Sequence, residues 1–297
     1  MKCIRFFIYT SLLIGASCSS DDSETLNVPD DGRTKVNLTT RAENVTNGQM
    51  LQAGLYMVNY VDGQPDELLG TNNYVNNQLL IWENDTWTTD TPIYWNDMET
   101  RADFYAYAPY QTTVDNARQM TFSVKTDQRD DGNFALSDLL WGTVQGQSPT
   151  SNGFNLTLTH MLSRLTVNVI ADVGFSEGEL NASDVSVTIG GTRTSATVDL
   201  KTGSVNVSNE SAAEDVKCHS NGDLSYTAIL LPQQVPFSNL IQVNWQGNRY
   251  TLQNAFLLEA QRQYTLTVKL KKTQSGFDIG IEGWDILPED FGGIIGG

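Results

Sequence analysis

Short runs of alternating apolar and polar residues, split by turn-forming residues and never giving way to a long amphipathic helical period, constrain this chain more than any other feature. They occupy 51–61, 74–82, 92–95, 103–108, 120–124 and 139–144. After a turn-rich stretch at 145–153 a second series follows at 154–171, 184–189, 196–200, 205–207, 224–231, 240–245, 249–252, 263–270 and 277–284. Runs of this length and spacing predict an all-β chain of two β-sandwiches in series that meet near residue 150. The composition agrees. Only 18% of residues are charged, against roughly 25% in an average soluble domain, and the polar share lies in Thr, which favours strands, and in Asn and Gly, which favour turns.

The strand pattern does not begin at once. Lys2 and Arg5 form a basic n-region, residues 6–14 an apolar stretch too short to span a bilayer, and Gly15-Ala16-Ser17 places small residues before Cys18. This reads as a lipoprotein signal over 1–17, with Cys18 lipidated as the first mature residue; an ordinary signal peptide cleaved nearby is the alternative. Residues 18–33 are acidic and nearly free of apolar side chains, which suits a solvated tether. The remainder divides into an N-terminal sandwich over 34–150 and a C-terminal sandwich over 151–297. Within the first, Val36 and Leu38 alternate with Lys35, Asn37 and Thr39 as a short half-buried strand. With Cys18 carrying lipid, Cys218 has no partner for an intrachain disulfide.

Several classes of function are disfavoured by what the chain carries. Eighteen Lys and Arg against 35 Asp and Glu give a net charge of −17, which leaves no basic face for nucleic acid. The two histidines, His160 and His219, fit neither a His-Glu-x-x-His zinc motif nor a triad with a nucleophile elbow. Gly190-Gly191 and Gly292-Gly293 lack the Gly-Lys-Ser/Thr that a phosphate loop requires. Cys218 and His219 are neighbours and would point to opposite faces of a strand, so they do not make a metal site. In the acidic stretch 127–133, Arg129 stands where a calcium loop needs a ligand and no Glu closes the loop, so a solvated turn is expected. His160 is expected as a partly buried side chain beside a corner, because the apolar parity of Leu156 and Leu158 switches to that of Leu165, Val167 and Val169 between 161 and 164. No catalytic residue and no cofactor is assigned. The aromatic cluster at 82–110, with Trp82, Trp87 and Trp95, leaves a sugar-binding anchored lipoprotein as the alternative function, which requires an exposed indole coplanar with another ring. A glycosidase would need two carboxylates across a cleft at roughly 5–9.5 Å.

A set of segments in fixed order resembles the fimbrillins, the lipoprotein-precursor subunits of Bacteroidales-type (type V) pili and related adhesins. They are Ile93-Tyr94-Trp95, Asp-Phe-Tyr-Ala-Tyr-Ala-Pro at 103–109, Ser-Asp-Leu-Leu-Trp-Gly at 137–142, Leu-Thr-His-Met-Leu-Ser-Arg-Leu at 158–165, Ala-Ile-Leu-Leu-Pro at 228–232, Gln-Tyr-Thr-Leu-Thr-Val at 263–268 and Ile-Glu-Gly-Trp at 281–284. The acidic Ser-Ser-Asp-Asp-Ser-Glu after Cys18 is similar to the signal that sends such lipoproteins to the outer face of the outer membrane.

The resemblance implies two transthyretin-like sandwiches and an assembly route. An Arg-specific surface protease cuts after the first strand, releasing the subunit from its lipid and opening a groove, which a C-terminal strand of a neighbouring pilus subunit fills. On this chain the first strand, with Val36 and Leu38, ends at Arg41, and Ala42 would begin the processed subunit. Arg33 precedes the strand, so a cut there would leave the groove filled. Phe277, Ile279 and Ile281 alternate with Asp278, Gly280 and Glu282 and make the candidate donor strand at 277–284. The expected location is the outer membrane before processing and the fimbrium after it. The tail 285–297, with Pro288 and four glycines, is poor in β-formers and leaves stalk and tip positions and the receptor open.

Overall fold

The computed structural model describes residues 32–39, 52–83, 86–208, 210–273, 276–278 and 289–290. The described residues from 33 onward group as one compact unit and are nearly all β, with sheets packed as sandwiches. The first strands are β1 (Gln52–Asn59), β2 (Val75–Glu83), β3 (Thr86–Thr88), β4 (Ala102–Ala108), β5 (Met120–Ser123), β6 (Leu140–Gln147) and β7 (Thr159–His160), with a single α-helix, α1 (Asp131–Leu136), between β5 and β6. All of these except β5 form one sheet in the order β3-β2-β1-β4-β6-β7. Strands β1 and β4 at its centre are buried on both faces, which is why both alternating sets of side chains are apolar or aromatic. One set, including Leu55, Met57, Phe104 and Ala106, enters a core that also takes Val36 and Leu38. The other set, Tyr56, Val58, Tyr105 and Tyr107, enters a second core on the opposite face.

The later strands are β8 (Ser163–Ala171), β9 (Val185–Thr192), β10 (Ser195–Asp199), β11 (Ser204–Val207), β12 (Glu214–Lys217), β13 (His219–Gly222), β14 (Ser225–Leu230), β15 (Gln233–Trp245), β16 (Asn248–Leu258), β17 (Arg262–Thr273), β18 (Gly276–Asp278) and β19 (Glu289–Asp290). Sheet β12-β9-β15-β16 and sheet β13-β14-β8-β17-β18 contribute the third core, rich in Val, Ile and Leu. In that second sheet β8 and β17 run parallel over eight residue pairs, from Arg164 with Gln263 to Ala171 with Leu270.

Pairing crosses position 150. The hairpin β10-β11 joins β5 in a three-stranded sheet over the second core. Trp141 fixes that hairpin from β6: its indole Nε1 donates to the Leu200 carbonyl at 2.8 Å, and its ring lies so close to Gly203, at φ +71°, that a Cβ there would stand 2.6 Å from it. Gln128, fully buried, works as a short strand of its own. Its Nε2 donates to the Ile229 carbonyl at 2.8 Å while its Oε1 accepts from the Ile229 amide at 2.9 Å.

The stretch 154–171 connects everything. Phe154, Leu156 and Leu158 lie in the first core, Met161 and Leu162 in the second, and Leu165, Val167 and Val169 in the third. The expected change of facing between 161 and 164 is therefore present, and it passes the chain from one core to another.

Candidate functional site

Residues 34–39 lie as a short extended piece in a slot between two other segments. On one side the Val36 amide donates to the Ile93 carbonyl at 2.8 Å, and the Trp95 amide to the Thr34 carbonyl at 2.9 Å. On the other the Thr39 amide donates to the Phe154 carbonyl at 2.9 Å, and the Phe154 amide to the Asn37 carbonyl at 3.2 Å. The piece runs antiparallel to its neighbour at Tyr94 and parallel to its neighbour at Phe154. Val36 and Leu38 point into the first core and are 6% and 7% exposed, whereas Lys35, Asn37 and Thr39 face outward. Polar clasps sit on the rim. Thr39 Oγ1 donates to Asn155 Oδ1 at 2.8 Å, Asn37 Nδ2 to the Ser151 carbonyl at 3.2 Å, and Thr34 Oγ1 approaches Met98 Sδ at 2.9 Å. The Arg33 guanidinium lies 4.8 Å from the centre of the Tyr94 ring.

The walls explain the slot. Trp95, Phe104 and Phe154 meet edge-on or tilted at ring-centre distances of 4.7–6.0 Å, and Trp95 Nε1 donates to the Thr150 carbonyl at 3.2 Å. Segment 154–158 passes so near β6 that only a glycine fits at 142. Beside Leu38 lies a narrow apolar crevice, too tight for a water molecule, lined by Ala53, Leu80, Trp87, Ala106, Leu156 and Leu158. On the other face of the sheet, burial pushes the Tyr105 and Tyr107 phenols up to about 12, so they stay neutral.

Magnitudes show what this piece contributes. Burying Val36 and Leu38 stabilises by about 1.5–3 kcal/mol each, and four backbone hydrogen bonds add about 0.5–1.5 kcal/mol each. These gains are offset by the entropy of ordering the six residues, roughly 1–2 kcal/mol each, which any other strand docking in the slot would also have to meet. A chain that loses the piece must therefore find a substitute or tolerate an exposed trough with unpaired backbone groups.

Of the residues singled out in the sequence, Val36 and Leu38 are the ones that this site brings together. Cys18, Arg41, Ala42, Ile279 and Ile281 lie outside the described residues. The backbone of Phe277 pairs with Lys272 in the hairpin β17-β18, and β19 pairs with the start of β17 at Arg262 and Gln263. Alternation reveals the strand at 35–39 but not that 93–95 and 154–158 are its walls. Their apolar residues were visible, but nothing local in the sequence tells which strand they flank.

The other candidates have structural roles. Trp82 and Trp87 are half-buried and meet at 65° with centres 5.3 Å apart, and Trp95 is 1% exposed, so these three indoles offer no exposed coplanar pair. In the acidic stretch, Asp130 caps α1 by accepting from the Asn133 amide at 2.8 Å, and Asp127 is paired with Arg129 at 2.5 Å and with Lys217 at 3.4 Å. His160 Nδ1 lies 2.9 Å from Asp138 Oδ1. Cys218 lies inside the third core, while adjacent His219 stacks on Phe134 at 4.8 Å. Among the described residues no group of three or more His, Cys, Asp or Glu is placed to hold a metal, and no helix is long and apolar enough to cross a membrane.

The family model described as fimbrillin-like matches residues 40–284. Solved structures share the fold. A "putative cell adhesion protein" of Bacteroides uniformis aligns with a TM-score of 0.63 at 21% identity, covering 89% of this chain and 99% of that one. A second protein so described, from Bacteroides ovatus, aligns at 0.64 and 14% identity over 87% and 97% of the two chains. A fimbrial protein of Bacteroides ovatus aligns at 0.51 and 17% identity, covering 84% of this chain and 54% of that one. No curated protein is significantly similar in sequence.

Proposed function

The chain belongs to the fimbrillin-like family, and from that premise we propose that it is a structural subunit of a surface pilus that serves adhesion, assembled by exchange of its first strand. In this reading the precursor is an outer-membrane lipoprotein held through Cys18, and an Arg-specific surface protease cuts between Arg41 and Ala42. The piece with Val36 and Leu38 then leaves, and the C-terminal strand of a neighbouring subunit, with Phe277, Ile279 and Ile281, takes its place. The N-terminal sandwich, read as 34–150, receives the strand together with segment 154–158, which walls the slot, and the C-terminal sandwich, read as 151–297, supplies it.

The observation that carries the proposal is the seating of 34–39. A strand built into a continuous ladder would be lost only with its sheet. This piece instead makes spaced bonds to two flanking segments and drops two apolar side chains into a slot whose walls are held by their own aromatic packing. It can therefore be replaced by another strand of like alternation without rebuilding the walls. The net charge of −17 would keep neighbouring filaments apart.

The test is the Arg41→Ala chain expressed in its native host, with N-terminal sequencing of the surface-assembled protein. The expected outcome is loss of polymer from the variant and an N-terminus at Ala42 in the original. Pili of normal length from Arg41→Ala would refute the proposal.

A further inference from the structure

We propose that the slot takes its donor in the direction opposite to the strand that leaves, with Phe277 of a second copy of this chain seated where Leu38 now sits. This rests on the strand exchange proposed above and assigns its register. The departing strand fills the slot incompletely. The crevice beside Leu38 is apolar and too narrow to admit water, so its lining lacks contact partners there. Its lining includes two alanines, Ala53 and Ala106, the smallest side chains around it. Once Leu38 is gone, its own volume and the crevice become one space, larger than a leucine.

The inward positions of the slot are 34, 36 and 38, where Thr34 is half-buried and Val36 and Leu38 are buried. Three donor residues, Phe277, Ile279 and Ile281, can occupy these three positions in two ways. In the direction of the departing strand, Ile281 replaces Leu38 like for like and the crevice stays unfilled. Phe277 then stands at the rim in place of Thr34, next to Met98, which is 59% exposed. In the opposite direction, Phe277 enters the enlarged space at 38, Ile279 replaces Val36, and Ile281 takes the place of Thr34. Only the second arrangement buries the largest of the three side chains and fills the void, and the contact energy of a buried ring selects it. The donor is then antiparallel to the segment at Phe154 and parallel to that at Tyr94, the reverse of the present strand.

Fluorescent peptides spanning 274–284 titrated into the subunit cut after Arg41 provide the test. Phe277→Ala in the peptide is expected to weaken binding about ten- to a hundredfold, and more than Ile281→Ala. An equal or larger loss from Ile281→Ala would overturn the assigned direction while leaving strand exchange intact. Failure of the unaltered peptide to bind would remove the exchange reading and this inference with it. In the uncut chain, Leu38→Phe is expected to keep or raise the melting temperature, because the ring enters the crevice. A fall of several degrees, the signature of overpacking, would also overturn the assignment.

Discussion

Gly142→Ala adds one carbon where the structure has no room for it. A Cβ at 142 would stand 1.9 Å from the Thr157 carbonyl oxygen and 2.8 Å from the carbonyl carbon. Both atoms belong to backbone, so no side chain can swing aside. Segment 154–158 would have to retreat by more than about 1 Å to restore an ordinary contact. That segment carries Phe154, Leu156 and Leu158 into the first core at 9%, 2% and 2% exposure. A fully buried side chain of this kind contributes about 1.5–3 kcal/mol, and a gap of this width forfeits roughly a quarter to a half of the contact energy. Three such side chains together give a loss of about 1–4.5 kcal/mol. In a chain of this length that corresponds to a fall in melting temperature of about 2–8 °C. Thermal unfolding followed by circular dichroism reads the shift, and hydrogen exchange should show faster exchange of the Phe154 amide, which the Asn37 carbonyl now protects. An unchanged melting temperature, with Phe154 still protected, would refute the reasoning.

Gln128→Leu keeps most of the volume but leaves the Ile229 amide and carbonyl without their partners; a loss of about 2–5 kcal/mol in urea unfolding is expected, with exchange at Ile229 as the local reporter. The Thr100 hydroxyl, the Thr100 amide and the Glu99 amide hold the Asp97 carboxyl down at about 2. Asp97 should therefore remain ionised at pH 3, and its stabilising effect, present above the unfolded carboxyl value of about 3.9, should be lost as pH falls through about 2; Thr100→Val should raise its titration midpoint as read by NMR. Burial raises the Cys218 thiol well above its ordinary value, so a thiol reagent should modify it only at the rate of unfolding, and rapid modification of the native protein would contradict its placement in the core.

The strands were legible wherever alternation was backed by burial. Strands β1, β4, β10 and β14 fall within a residue or two of where the apolar period places them. Short polar strands such as β12 and β13, with Glu214, Asp215, Ser220 and Asn221, carry no such signal, because their places come from pairing with β9 and β14. Helix α1 shows in the sequence only as a turn, since six residues are too few to carry a helical period and the Asp130 cap is the single cue. Near 150 the turn-rich residues were visible, but the pairing of β5 with β10 was not, because partner choice between distant strands leaves no local trace. The site divides in the same way. Val36 and Leu38 identify the strand by alternation, whereas the slot depends on Trp95, Phe104, Phe154 and the glycine at 142, which lie far apart in the chain.

The parallel pairing of β8 with β17 has a mechanical consequence. A force that pulls the chain toward its two ends enters β8 at Ser163 and leaves β17 at Thr273, which are opposite ends of the pair. Because the strands run in the same direction and their bonds are evenly spaced, the load falls on all eight residue pairs at once, in shear, and does not open them one by one from an end. Under tension this sheet resists as a lap joint does.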